Sequence, residues 1–188
     1  SDKYSKAAKQ IIDTGLNCLG TTTTPEFGLT GTTESLRFGA TCNPWNTAYS
    51  TGGSSGGSSA LVAAGVIPIA HANDGAGSIR IPASCCGLVG LKASRGRIKD
   101  KEVPSYLPAN ILHDGVVTRS VRDTWAFHAE IEKNIPAKEF QPIGNISESF
   151  PKNLKIAVLT ENCLGEDSSA ELVKATHDVA KLCESLGH

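Results

Sequence analysis

Net charge is almost absent from this 188-residue sequence, because 18 basic residues are set against 19 acidic ones and leave a formal charge of −1 at pH 7. Binding to nucleic acid or to an anionic membrane needs clustered positive charge, so the composition favours neither partner. Long apolar runs are missing as well, since no stretch reaches the roughly 18 to 20 residues of a membrane-spanning helix. The charged start, SDKYSKAAKQ, lacks the apolar segment of a signal peptide. We therefore predict a cytoplasmic protein.

Cysteine and histidine patterns that bind metals are also missing. The six cysteines contain no CxxC pair, and the five histidines contain no HxxxH or HExxH pair, although zinc sites usually show such spacings. A disulfide framework is the alternative use of six cysteines, but Cys85 and Cys86 are adjacent and the chain is not small. We predict reduced, mostly buried cysteines and no metal site.

The sequence does contain two glycine-rich turns that carry serine. The first turn is Gly52–Gly57 (GGSSGG), the second turn is Asp74–Ser78 (DGAGS), and a largely apolar run, residues 60–72, separates them. Glycine lets the backbone adopt positive φ and lets other groups approach it closely. Two such turns around a buried element bring two hydroxyls and several free backbone N–H groups together.

These segments resemble a known family. GGSSGGS, DGAGSIRIPAS and CGLVGLKASRGRI are similar to the signature of the amidase signature family of serine hydrolases, and Ser54 and Ser78 have the spacing of its two catalytic serines. The segments CLGTTTTPEFG, FGATCNPWN and GVVTRSVRD resemble the flanking regions. Within the family, IRIPAS and GATCNPWN are most similar to amidases of the 6-aminohexanoate-cyclic-dimer hydrolase kind.

The resemblance implies a serine amidase without a cofactor that hydrolyses a small-molecule amide. It implies that Ser78 is the nucleophile and that Ser54, preceded by a cis peptide bond, relays its proton. The oxyanion hole would consist of the backbone N–H groups of Gly75, Ala76, Gly77 and Ser78. Ala76 stands where the family usually has glycine, so this donor survives only if φ at residue 76 is negative. The oligomeric state stays open between a monomer and a homodimer.

The general base that this mechanism needs is not found among the residues that match the family. A serine hydroxyl is a poor nucleophile until a base takes its proton, and in the family a neutral lysine upstream of the first turn does so. Lys3, Lys6 and Lys9 match nothing in that motif, and Lys92 ends the signature. We therefore expect the lysine upstream of this chain, and we expect residues 1–188 to be a partial domain, truncated at both ends and inactive alone.

Other functions fit parts of the pattern. Residues 53–57 satisfy GxSxG, the nucleophile elbow of α/β-hydrolases, although the polar segment 46–51 before them is unlike the strand that an elbow needs. An amidotransferase A-type subunit of the same family usually has IRQPA, where this chain has Ile81. A non-catalytic, amidase-like binding module is a further alternative. Asp74 and Arg80 suggest an ion pair that holds the second turn more than a catalytic pair.

The order of the elements predicts an α/β fold, and the resemblance implies a mixed β-sheet core flanked by helices on both faces. Residues 20–57 are predicted to form an ordered covering loop, packed through Phe27, Leu29, Phe38 and Trp45. Apolar periodicity and capping residues place the other elements. The predicted helices span 4–11, 58–65, 78–87, 120–132 and 168–187, and the predicted strands span 16–19, 66–70, 89–92, 116–118 and 156–159.

Overall fold

The computed structural model describes residues 4–98, 111–134, 140–146, 151–162 and 164–188. They form two compact units, one within Ser1–Ile146 and one within Ser147–His188. The helices are α1 Lys6–Ile12, α2 Gly56–Ala63, α3 Arg80–Cys85, α4 Val121–Asn134 and α5 Ala170–Ser185. The strands are β1 Glu34–Ser35, β2 Gly39–Ala40, β3 Cys42–Asn43, β4 Asn46–Ser50, β5 Ile69–Asp74, β6 Val89–Gly90 and β7 His113–Thr118. No described helix is long and apolar enough to cross a membrane.

A three-stranded sheet in the order β5–β7–β6 organises the first unit. The central strand β7 pairs antiparallel with β5 along its whole length, from Ile69 opposite Thr118 to Asp74 opposite His113. Its successive side chains face opposite sides of the sheet. Val117 packs in one apolar core with residues of α2 and α3, and Val116 packs in a second core with residues of α4. The predicted α/β arrangement with helices on both faces is confirmed.

The helix predictions hold with small shifts of the boundaries. The predicted segments 58–65 and 78–87 correspond to α2 and α3. Ser120 caps α4, because its hydroxyl accepts the N–H of Asp123 at 3.1 Å. In the second unit the cap of α5 is Ser169 and not Ser168, since the Ser169 hydroxyl accepts the N–H of Leu172. No described residue of α5 is buried.

Two of the predicted strands are wrong. Residues 16–19 and 156–159 are apolar enough for a strand, but neither segment is assigned to one, and Leu19 and Leu159 are exposed. A strand persists when a neighbour satisfies its backbone N–H and C=O groups. Neither segment has such a neighbour among the described residues.

The strand predicted over 66–70 begins later, at Ile69. The preceding residues end α2: Gly65 has φ +75°, and the N–H of Val66 donates to the Leu61 carbonyl at 3.0 Å. A glycine of positive φ followed by such a backbone bond is a common helix C-terminus. Val66 is therefore exposed, although it is apolar.

The segment 20–57, predicted as a covering loop, contains two short antiparallel strand pairs, β1–β2 and β3–β4, and it is ordered for a different reason from the one predicted. Its large apolar side chains do not pack inward: Phe27 is 94% exposed, and Leu29, Phe38 and Trp45 are also exposed. Polar contacts hold the segment instead. The hydroxyls of Thr22 and Ser58 lie 2.9 Å apart, and the N–H of Gly57 donates to the Thr23 carbonyl at 3.2 Å, so the segment is tied to the beginning of α2.

Candidate active site

The first turn has no space for additional side-chain atoms. The peptide bond between Gly53 and Ser54 is cis. A Cβ on Gly53 would collide with the backbone of Thr32, and one on Gly56 would collide with the hydroxyls of Thr33 and Thr51. Only glycine fits at these two positions, which explains the Gly-Gly pairs of the sequence.

Thr33 fixes the first turn through its hydroxyl. This hydroxyl donates to the Gly52 carbonyl at 2.9 Å and accepts the N–H of Gly56 at 3.1 Å, and Thr33 is fully buried. Ser54 follows the cis peptide bond and is 7% exposed. Gly28 lies against it, since a Cβ on Gly28 would be 3.5 Å from the Ser54 Oγ.

The second turn is built around a buried carboxylate. One oxygen of Asp74 accepts the N–H of Gly77 at 2.8 Å, and the other accepts the N–H of Ile79 at 3.2 Å. The Arg80 guanidinium donates to both oxygens, at 2.9 and 3.0 Å. Burial would raise the pKa of Asp74, but hydrogen bonds from Arg80, Ile79, Gly77 and Lys92 hold this pKa well below its usual range. The interpretation of Asp74 and Arg80 as the pair that holds the turn is confirmed.

The two turns meet through their backbones. The N–H of Ser55 donates to the Ser78 carbonyl at 3.3 Å, which brings both serine-bearing segments together. Ser78 is half-buried and immediately precedes the residues that begin α3. However, the hydroxyls of Ser54 and Ser78 form no hydrogen bond with each other in this structure, so the direct contact expected of a relay is not observed. Such contacts are often long or poorly aligned before a substrate binds.

The predicted oxyanion hole needs one correction. The N–H of Gly77 already donates to Asp74, so it is not a free donor. The N–H groups of Gly75, Ala76 and Ser78 have no hydrogen-bond acceptor in the part of the chain that the structure describes. Ala76 is not among the described residues of positive φ, which meets the condition that an alanine there requires. Three of the four predicted donors are thus unpaired within the described residues.

Lys92 is the site residue that the sequence reasoning missed. Its Nζ donates to the Gly75 carbonyl at 2.7 Å and to the Ile111 carbonyl at 2.9 Å, and it lies 3.3 Å from Asp74. The motif GLVGLK places Lys92 just after β6. Nothing in that motif predicts that the Lys92 side chain contacts the second turn.

Ser55, the central serine of the GxSxG pattern, has a structural role. Its hydroxyl donates to the carbonyl of Asn73 at 3.3 Å and accepts the N–H of the same residue at 3.2 Å. Ser55 is buried at the beginning of α2. A buried hydroxyl with both functions occupied is a poor candidate nucleophile, which weighs against the elbow interpretation.

The cysteines agree only in part with the prediction. Cys18, Cys42 and Cys85 are free but exposed, and Cys86 is buried. Burial, and then the neighbouring Cys85, raise the pKa of Cys86 to about 11, so its thiol stays protonated and unreactive. Cys163 lies outside the described residues.

Two histidines of the first unit are buried. His113 pairs with Asp74 in the sheet, and His128 lies on α4. Both are 1% exposed, and neither ring nitrogen of either residue has a hydrogen-bond partner among the described residues. Burial lowers the pKa of His113, and burial together with His113 lowers the pKa of His128 to about 4. Both rings are therefore neutral at pH 7.

A half-buried serine beside free backbone N–H groups, next to a second serine, is a site typical of a serine hydrolase. The family model named Amidase matches residues 1–188. The putative amidase AmiC of Mycobacterium tuberculosis is 49% identical over 184 residues, which are 98% of this chain and 39% of that protein. The 6-aminohexanoate-cyclic-dimer hydrolase of Paenarthrobacter ureafaciens is 43% identical over 183 residues, 93% of this chain and 37% of that protein. The chain belongs to the amidase signature family.

Solved structures agree with this placement. A structure of 6-aminohexanoate cyclic dimer hydrolase superposes with a TM-score of 0.84 at 40% identity and covers 100% of this chain and 41% of that chain. A bacterial aryl acylamidase of the amidase signature family gives a TM-score of 0.79 at 30% identity over 100% of this chain and 39% of that chain. The 188 residues thus span about two fifths of the length of the relatives that they match.

Proposed function

We propose that this chain is part of a serine amidase that hydrolyses the C–N bond of a linear or cyclic carboxamide through an acyl-enzyme on Ser78. The observation that carries the proposal is the position of Ser78. It is half-buried, its own N–H is free within the described residues, and its carbonyl binds the segment that carries Ser54. Membership of the amidase family supports amide hydrolysis as the class of reaction.

In the proposed first step, the Ser78 Oγ attacks the amide carbonyl carbon. The hydroxyl proton passes to Ser54, and the Ser54 proton passes to the neutral lysine that the family supplies from outside the matched residues. The carbonyl oxygen becomes an oxyanion and accepts hydrogen bonds from free N–H groups of the second turn, those of Gly75, Ala76 and Ser78. Removing one such donor typically slows a reaction of this kind about 10²- to 10³-fold.

In the second half of the reaction, the C–N bond breaks and the leaving nitrogen takes the proton back from the lysine through Ser54. Ser78 is then held as an ester. A water molecule attacks this ester and transfers its proton along the same path, and the carboxylic acid leaves as Ser78 regains its hydroxyl. Every proton that is removed is returned, so the cycle needs no cofactor.

A fluorophosphonate probe with peptide mass spectrometry tests the nucleophile in the protein at its full natural length. We expect the label on Ser78, and no label after Ser78→Ala. Ser54→Ala should slow labelling but leave it on Ser78, and Ser55→Ala should also leave it there. Ser84→Ala, at an exposed serine of α3, is the matched control with unchanged labelling. Label on Ser54 or Ser55 in the unmodified protein would contradict the assignment, and label on Ser55 would restore the elbow interpretation.

Two alternatives give different outcomes in the same assays. A non-catalytic binding module would bind carboxamides but would be neither labelled nor able to turn them over. An amidotransferase A-type subunit is favoured by one neighbour, the A-type subunit of the glutamyl-tRNA(Gln) amidotransferase of Thermotoga maritima, with a TM-score of 0.72 at 28% identity. Such a protein would be labelled on Ser78, but it would transfer ammonia only with partner proteins.

A separate assay compares residues 1–188 with the protein at its full natural length. It tests the prediction that this part alone gives no turnover.

A further inference from the structure

Lys92 holds together three parts of the chain around the second turn. Its ammonium donates to the carbonyls of Gly75 and Ile111, at 2.7 and 2.9 Å, and lies 3.3 Å from the buried Asp74 carboxylate. An ammonium has three N–H donors and no lone pair. With three acceptors around it, the Lys92 ammonium has a partner for each of its N–H groups.

Lys92 adds positive charge to an ion pair that is already complete. Asp74 is fully buried, and the bidentate contact with Arg80 already pairs its single negative charge. Lys92 therefore brings the charge of these three residues to +1, while the nearby buried Asp114 is bonded to His71 and Asn73. Because the Lys92 side chain is only 24% exposed, its field acts on the turn more strongly than the same charge would on an open surface.

The shortest of the three Lys92 contacts, the one with the Gly75 carbonyl, involves a peptide group of the proposed oxyanion hole. The Gly75 carbonyl belongs to the same peptide group as the N–H of Ala76, which has no acceptor among the described residues. A hydrogen bond to the oxygen of a peptide polarises the group and makes its N–H a stronger donor. A cation as the donor increases this effect.

We propose that Lys92 is a positioning residue for catalysis. Its ammonium fixes and polarises the Gly75–Ala76 peptide, so that the Ala76 N–H binds the transition-state oxyanion more strongly than it binds the carbonyl of the bound amide. The proposal rests on the proposed function, because it needs an oxyanion formed at Ser78. It assigns to Lys92 a part in stabilising charge that is separate from the proton transfer through Ser54.

The test compares two kinds of ligand in the protein at its full natural length. A boronic acid that adds to the Ser78 oxygen reports on the oxyanion hole, and an unreactive amide bound to Ser78→Ala reports on ground-state binding. In Lys92→Met we expect kcat and boronic acid affinity to fall together, about 10²-fold, the typical effect of one donor. KM and the affinity for the unreactive amide should change less than about threefold, because the polarised N–H binds a neutral carbonyl much more weakly than an oxyanion.

Two further variants separate charge from structure. Lys92→Gln keeps N–H donors for the Gly75 and Ile111 carbonyls but removes the cation, so we expect about a tenfold loss of boronic acid affinity in a protein that still folds. Lys133→Met removes an exposed lysine of α4 that pairs with Glu130 and serves as the matched control with no loss. If Lys92→Met does not fold, Lys92→Gln decides the question. A boronic acid affinity within twofold of the unmodified protein in Lys92→Gln would overturn the proposal.

The same experiment distinguishes failure of the proposed function from failure of the role of Lys92. If the unmodified protein is not labelled on Ser78 by a fluorophosphonate, the proposed function fails and takes this inference with it. If Ser78 is labelled and the Lys92 variants keep the unmodified rate and affinity, only the inference about Lys92 fails. Parallel losses of ground-state and boronic acid affinity would show a purely structural role and would also overturn it.

Discussion

The two serine-bearing turns are held in place by different forces. In the first turn, packing excludes any Cβ at Gly53, and the neutral hydroxyl of Thr33 satisfies the nearby backbone groups. In the second turn, the charge of Asp74 collects backbone N–H groups and two cations. The first turn should therefore tolerate changes of charge but no added atom, whereas the second turn should be sensitive to changes of charge.

The largest expected effect comes from removing the central charge. Asp74→Ala leaves the Arg80 guanidinium and the N–H groups of Gly77 and Ile79 without their acceptor, so we expect the free energy of unfolding to fall by about 3–5 kcal/mol. Urea unfolding of the variant measures this loss. Asp13→Ala is the control, since the exposed pair of Asp13 with Lys9 contributes about 0.5 kcal/mol or less. A loss below about 1 kcal/mol for Asp74→Ala would contradict electrostatic control of this turn.

A single methyl group should break the first turn. Gly53→Ala places a Cβ against the Thr32 backbone, which cannot move as a flexible side chain would, and we expect a loss of about 3 kcal/mol in urea unfolding. Gly31→Ala is the matched control, because a Cβ there meets no atom within 4 Å. Equal stabilities of the two variants would refute the steric explanation.

Acid should destabilise the protein through the buried histidines. The pKa of His128 is lowered to about 4 in the folded state from an ordinary value of 6.5. The unfolded chain therefore binds more protons between these values, and stability falls as the pH falls from 6.5 to 4. At pH 5 the loss from this one group is about 2 kcal/mol. His128→Leu should flatten this pH dependence in urea unfolding, and His177→Gln, on the exposed α5, should leave it unchanged.

The smallest expected effect tests the neutral hydroxyl of the first turn. Thr33→Val keeps the shape of the side chain but leaves the N–H of Gly56 without an acceptor, and we expect a loss of about 1–2 kcal/mol. Thr30→Val is the control, because the Thr30 hydroxyl is exposed. A loss as large as that of Asp74→Ala would remove the distinction between the two turns.

Features encoded by neighbouring residues were predictable from the sequence. The cap at Ser120, the helix that follows Ser78 and the placement of both serines in tight turns depend on residues within a few positions of each other. The use of the Gly77 N–H by Asp74 was within reach too, because only three residues separate them. The Asp74 side chain takes one of the four donors that the family resemblance assigned to the ligand.

Features that depend on distant partners were not predictable. Residues 16–19 have the composition of a strand, but a strand also needs a neighbour, and composition does not supply one. Lys92 reaches the second turn only because β6 and β7 pair and carry residues 92 and 111 to the same place. The exposed Phe27 was misjudged for a similar reason, since the hydroxyl contacts that order its segment are long-range.

We expect the short helix α3 to decide how late in folding the site can form. It has only six residues, and a helix of that length is not stable alone in water. Its first N–H groups bind Asp74, and its end is held from far away: the Asn43 side chain donates to the Cys85 carbonyl at 2.7 Å, and the Trp45 indole donates to the Cys86 carbonyl at 2.9 Å. Closing loops of this length is slow compared with forming local turns. Ser78 should therefore reach its final position among the last events of folding.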